Sequence, residues 1–140
     1  MRYLIDTNIF IYLVCDRDSI TSDVRAILED ASNLLYMSME SVRELLVAYR
    51  KKKLLLKVWR TPREMVRAIE CDASITILPV GMDVMHTLSE LQINEAQRHN
   101  DPSDHIIISQ AISMGIPLIS SDRKFAFYRS QGLDFIFNEC

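Results

Sequence analysis

Glycine is scarce in this sequence. There are three in 140 residues, Gly81, Gly115 and Gly132, and they never cluster. That speaks against dinucleotide and P-loop sites, which need closely spaced glycines so that backbone N–H groups can approach a phosphate. Cysteine is equally rare. Cys15, Cys71 and Cys140 are far apart, odd in number and without metal-ligand spacing. Neither a disulfide framework nor a zinc site is expected, and reduced cytoplasmic thiols are. No apolar run approaches the roughly 18 uncharged residues that span a bilayer. The start, MRYLIDTN, carries an acid at position 6 and no small-residue cleavage site, so no signal peptide and no membrane partner are expected.

What is present suits a soluble globular protein: 49% apolar residues and 25% charged. The length predicts one domain, 1–140. A chain of this size buries roughly 68% of its unfolded surface, enough for a core of its own. The formal charge of −3 is unevenly spread. Residues 43–67 hold nine bases (Arg43, Arg50, Lys51, Lys52, Lys53, Lys57, Arg60, Arg63 and Arg67) against Glu44 and Glu64, a net +7, so the rest carries −10. A basic arm on an acidic body is an asymmetry that nucleic-acid binding uses, though a solvated helix surface has the same composition.

Along the chain, Arg2–Asp6 reads as a short buried strand, followed by a helix capped by Thr7 or Asn8 and running to about Val14. Thr21–Ala31 reads as a helix after the polar loop DRDSITSD, and Leu34–Met37 as a strand. A long helix starts at Ser38 or Ser41 and enters the lysines, with Val42, Leu45, Leu46 and Tyr49 on one face. Pro62 opens a helix ending near Cys71, SITILPV is a strand, and Asp83 starts a helix to about Glu95. QRHNDPSD reads as a loop. Asp101–Pro102 is an N-cap with proline at the first helical position, and Gly115 is that helix's stop. IPLIS, RKFAFY and LDFIF read as strand, short helix and strand. Strands alternating with helices, several of them continuously apolar, predict an α/β fold with a parallel sheet covered on both faces.

In such a sheet, ligands sit beyond the carboxyl ends of the strands. Asp6 ends the first strand, Asp122 follows IPLIS by two residues, and Asp104 lies in the first turn of the helix leading into IPLIS. If those strands are neighbours, three acids converge. Each has a structural alternative: Asp6 as an Asx turn or helix cap, Asp104 as the acid of a capping box with Asp101, Asp122 as the cap of the short helix. Glu44 is harder. Ser41-x-x-Glu44 also has capping-box spacing, and periodicity places Glu44 off the apolar stripe, on a side shared with Ser41 and Ala48. Two carboxylates about 4 Å apart repel by about 4 kcal/mol at an effective dielectric of 20. A cluster therefore demands protons or cations. Oxygen ligands without a histidine or cysteine set suit Mg²⁺ or Mn²⁺.

With those residues in view, the sequence resembles the PIN-domain family, and within it the VapC-type toxins of bacterial toxin–antitoxin pairs. YLIDTNIFIYL is similar to the family's opening strand and Asp-Thr-Asn motif. SMESVREL is similar to the segment in which a serine precedes a Glu-Leu pair. HNDPSDHIIISQA resembles the His-x-Asp-Pro-Phe-Asp-Arg helix start, and IPLISSDRKF the strand followed by Thr-x-Asp. The four motifs occur in order over nearly the whole chain. The resemblance maps the catalytic, metal-holding acids onto Asp6, Glu44, Asp104 and Asp122. It departs at Ser103, His105 and Ser120, where phenylalanine, arginine and threonine are common; none of these removes a carboxylate. His105 reads as a surface-helix histidine, with metal ligation the alternative.

The resemblance implies a three-layer α/β/α sandwich around a short parallel sheet and a Mg²⁺- or Mn²⁺-dependent ribonuclease acting on structured RNA such as tRNA or rRNA. It further implies a homodimer held inactive by a cognate antitoxin. One alternative is a PIN domain that grips RNA or protein without cleaving. Another is a receiver-type phosphoryl-transfer domain, but the first strand offers only Asp6 where paired acids are needed, and no lysine follows LDFIF.

Overall fold

The computed structural model describes residues 1–51 and 57–139. Lys52 and Lys53 of the basic stretch lie outside the described residues. Strands β1 (Arg2–Ile5), β2 (Leu34–Ser38), β3 (Ile75–Leu78), β4 (Leu118–Ser120) and β5 (Phe135–Phe137) form one parallel sheet in the order β3-β2-β1-β4-β5. In register, Tyr3 pairs with Leu35 on one side, and Leu4 with Leu118 on the other. The helices are α1 (Thr7–Cys15), α2 (Ser22–Glu29), α3 (Met39–Lys51), α4 (Pro62–Glu70), α5 (Met82–Glu90) and α6 (Pro102–Met114).

Successive strand residues point to opposite faces, and the apolar residues divide accordingly. Tyr3, Ile5, Leu35, Met37, Ile75 and Ile119 join Ile9, Phe10, Val24, Leu45 and Met65 in a core beneath α1 to α4. Leu4, Leu118 and Phe135 join Ile107, Ile108, Ala111, Phe125 and Tyr128 in a second core beneath α6 and the 3-10 segment Arg123–Gln131. The result is the expected α/β/α sandwich. Because both faces are covered, the interior strands β2, β1 and β4 are apolar at every central position, which is why they read as continuous runs, while the edge strand β3 shows Thr76 to solvent.

Connectivity decides where the chemistry lies. From β1 the chain steps outward to β2 and β3, then returns to lay β4 on the opposite side of β1. The order thus reverses between β1 and β4, which makes that crevice the natural ligand position. Polar residues lie there at both strand ends, Asp6 directly after β1 and Ser120 as the last residue of β4.

Several local boundaries differ from expectation for identifiable reasons. Asp6 itself caps α1, its Oδ1 accepting from the Thr7 backbone N–H at 2.8 Å, so neither Thr7 nor Asn8 is the cap. Helix α3 starts at Met39, with the Ser38 hydroxyl accepting from the Glu40 N–H. Ser41 is therefore inside the helix and buried, and cannot be the cap of a box with Glu44. Helix α5 stops at Glu90 rather than Glu95, because the following turns carry Asn94 inward, where it is 1% exposed. The Asp101–Pro102 start and Gly115 stop of α6 are as expected. Asp101 Oδ1 accepts from the Ser103 and Asp104 N–H groups, and Gly115 takes the left-handed φ of 66° that closes the helix.

Candidate metal centre

Asp6 is 3% exposed and doubly held. Its Oδ1 takes the Thr7 N–H, and its Oδ2 accepts from the Ser120 hydroxyl at 2.6 Å. Ser120 stands where threonine is common in the resembling motif, and it keeps the hydroxyl. Thr7 donates its Oγ1 proton to Glu44 Oε1 at 2.6 Å, and that Oγ1 lies 2.8 Å from Ser41 Oγ. Glu44 therefore turns inward on the flank of α3, away from the apolar stripe but not into solvent. Periodicity misses this because the partner is a hydroxyl on another element. Asp104 is presented by the first turn of α6, and its Oδ2 lies 2.9 Å from His99 Nε2.

One oxygen each of Asp6, Glu44 and Asp104 lie within 4.8 Å of one another. Asp122 stands one step aside. It forms a second group at the same spacing with Asp104 and His99, while its own Oδ1 caps the 3-10 segment by accepting from the Lys124 N–H at 2.9 Å. Asp104 is thus the shared corner of two groups. His99 is the member that sequence reasoning left out, because it sits in what reads as a polar loop. It is 1% exposed. Its signal was its place at the head of HNDPSDH. His105, the histidine weighed in its stead, points its Nε2 at the His99 carbonyl, 2.7 Å away, and belongs to neither group.

The electrostatics follow from burial. Desolvation, then the charge of Asp104, pushes the Asp6 carboxyl up to about 7 against the hydrogen bonds of Ser120 and Thr7. Desolvation, opposed by the Thr7 hydrogen bond and joined by the charge of Asp6, raises Glu44 to about 7. Asp104 is raised to about 8 by burial first, then by Asp101, Glu44 and Asp122. Burial holds His99 below its ordinary value. Three carboxyls raised by burial and by one another form a cluster whose negative charge protons or a cation would offset. Their donor set is all oxygen, charged and oriented, and it fits a hard divalent cation.

Around this centre, Arg43 pairs with Glu40, and its Nη2 also donates to Ser103 Oγ at 2.7 Å. Ser103, in the place of the usual phenylalanine, donates in turn to Glu40 Oε1 at 2.9 Å. Arg43, Glu44, Val47, Ala48 and Lys51 line a shallow groove leading away along α3. Arg50, Lys51, Lys57, Arg60, Arg63 and Arg67 are exposed.

A layered parallel sheet with acids gathered at the β1/β4 switch point defines the class. The chain belongs to the PIN-domain family, whose model matches residues 3–130. Among solved structures it resembles VapBC2 from Rickettsia felis, bound to a DNA fragment from its promoter, with a TM-score of 0.72 at 19% identity, covering 99% of this chain and 100% of that one. It also resembles VapBC-1 from nontypeable Haemophilus influenzae, with a TM-score of 0.68 at 24% identity and 98% of each chain covered. DNA-bound VapBC from Salmonella typhimurium gives 0.69 at 16%, again with 98% of each chain covered. At these identities the likeness is one of fold. No curated protein matches the sequence. Among the described residues, no helix is long and apolar enough to cross a membrane.

Proposed function

We propose that this protein is a single-domain Mg²⁺- or Mn²⁺-dependent endoribonuclease, the toxin of a toxin–antitoxin pair. The observation that carries the proposal is the meeting of Asp6, Glu44 and Asp104 oxygens within 4.8 Å at the sheet's switch point. Membership of the PIN family and the fold shared with VapBC complexes support it. In this reading the partners are RNA such as tRNA or rRNA, a cognate antitoxin and a second copy of the chain, in the cytoplasm.

Asp6, Glu44 and Asp104 would hold the cation, with Asp122 completing the acidic field from beside Asp104. When bound, such a cation supplies Lewis acidity, lowering the pKa of a water and offsetting charge on a phosphodiester. The chain's own contribution is orientation. Ser120 and the Thr7 N–H fix both oxygens of Asp6, and the Thr7 hydroxyl fixes Glu44. The exposed bases of α3 and α4 would contact RNA phosphates, which gives affinity with little sequence information. RNA cleavage assayed with Mg²⁺ or Mn²⁺ against EDTA tests this reading. Cleavage that persists in EDTA, or RNA binding without cleavage in either metal, would overturn it.

A further inference from the structure

A line of buried polar groups runs from the acidic centre into the second core. The Asn94 backbone N–H donates to the Tyr128 hydroxyl oxygen at 3.0 Å. That oxygen lies 2.9 Å from His99 Nδ1, and His99 Nε2 lies 2.9 Å from Asp104 Oδ2. Tyr128 is fully buried, and His99 nearly so. The imidazole is also fenced by its neighbours. The His105 ring stands edge-on to it at 5.0 Å, and the Phe125 ring lies 5.5 Å away.

Counting protons fixes the directions. A phenolic oxygen has one proton and two lone pairs, and the Asn94 N–H occupies one lone pair. A proton on His99 Nδ1 would occupy the other. The hydroxyl's own proton would then face no acceptor among the described residues, and a buried donor left unpaired is costly. With Nδ1 bare, every group in the line is satisfied: Asn94 N–H to the Tyr128 oxygen, Tyr128 O–H to Nδ1, Nε2–H to Asp104. Hydroxyl and imidazole thus form a directional chain that ends on a carboxylate of the centre.

We propose that His99 is a positioning residue, locked as the Nε2–H tautomer by the Tyr128 hydroxyl so that it orients the carboxylate of Asp104 for a cation. The proposal rests on the metal-centre reading of Asp6, Glu44 and Asp104. It gives His99 no part as a ligand and no proton to transfer. One Asp104 oxygen is occupied by a rigid N–H donor, and the other is left to the centre. Partners of this kind on liganding groups are typically worth 10–100-fold in metal affinity.

Nitrogen-15 NMR of the full-length, metal-free protein at pH 8 tests the lock directly. The expected spectrum has His99 protonated at Nε2 and bare at Nδ1; a proton on Nδ1 overturns the proposal. Titration with Mn²⁺ alone, followed by electron paramagnetic resonance, tests the consequence. H99F should lose about 10–100-fold in affinity, while H99Q, whose amide can still donate to Asp104, should recover most of it. Equal affinities for wild type, H99F and H99Q, or equal losses in both variants, would sink the role of His99. Asp6→Asn read in the same titration separates the two failures. If Asp6→Asn weakens Mn²⁺ binding and H99F does not, only the positioning role falls. If Asp6→Asn binds like wild type, the centre itself falls.

Discussion

The two flanks of the acidic centre are built from different chemistry. On the β1/α3 flank, Asp6 and Glu44 are held by hydroxyls and one backbone amide: Ser120, Thr7 and the Thr7 N–H. On the α6 flank, Asp104 is held by an imidazole, and Asp122 by a backbone N–H. A hydroxyl can donate to a carboxylate or accept from a carboxylic acid, whereas an N–H can only donate. The two hydroxyls can therefore serve either protonation state of Asp6 and Glu44, whereas the His99 N–H serves only an unprotonated oxygen of Asp104, a carboxyl that burial and Asp101 nonetheless raise to about 8. With these carboxyls raised by burial and by one another, the hydroxyl flank stays paired whichever of its acids holds a proton, and the α6 flank leaves any proton of Asp104 to the oxygen that does not face His99.

The largest expected effect comes from removing charge on the hydroxyl flank. Asp6→Asn should reduce metal-dependent RNA cleavage by about a thousandfold, the equivalent of several kcal/mol of lost metal stabilisation. Asn caps helices as well as Asp does, so unfolding should stay cooperative. Wild-type cleavage by this variant would remove Asp6 from the mechanism.

Next in size is a pH effect on the metal-free protein. Asp6, Glu44 and Asp104 have folded values of about 7, 7 and 8, above their unfolded values of 3.8, 4.5 and 3.8. The folded state thus binds more protons than the unfolded chain. Their contribution is fully present below about pH 4 and is lost as pH rises through 7 to 8. Asp6 alone corresponds to on the order of 4 kcal/mol. The Tm without metal should therefore fall by roughly 10 °C between pH 5.5 and 8.5. Millimolar Mg²⁺ should recover most of that at pH 8.5 and little at pH 5.5. A Tm indifferent to both pH and cation would mean that the carboxyls do not interact.

Smaller effects are expected within the hydroxyl flank. Thr7→Val and Ser120→Ala should each weaken Mn²⁺ binding by about 10–100-fold. Ser120→Ala should be the milder, since the Thr7 N–H still holds Asp6. Unchanged affinity, measured by calorimetry, would reduce these hydroxyls to packing. The smallest effect is expected far from the centre. Replacing Lys51, Lys52 and Lys53 with Ala should flatten the salt dependence of RNA binding by up to about 2 logarithmic units of slope, at about 0.7 for each phosphate of a single strand that is no longer neutralised. An unchanged slope would make the arm a solvated face or an antitoxin surface.

Much of this was legible in the sequence because strand ends and helix caps are local. Asp6 after an apolar run, Asp101–Pro102 before one and Gly115 after it are short-range signals, and the structure follows them. Asp104 and Asp122 were legible as acids at the right sheet edge, on the condition that β1 and β4 adjoin, and they do. Glu44 was not legible from periodicity; only the resemblance placed it, because its inward turn depends on Thr7, 37 residues away. His99 escaped for the same reason. Its partner Tyr128 lies 29 residues on, in a segment that reads only as a short helix. The end of α5 was overestimated because Asn94 is drawn off by that same hydroxyl.

Asp6 both starts a helix and faces the acidic centre, and this double duty bears on how the position can drift over evolution. A lineage that gave up its chemistry would still be pressed to keep a good cap there, and asparagine would serve that purpose without a buried charge. An acid at this place, where its amide would cap the helix as well, therefore carries a burial cost that folding alone does not require.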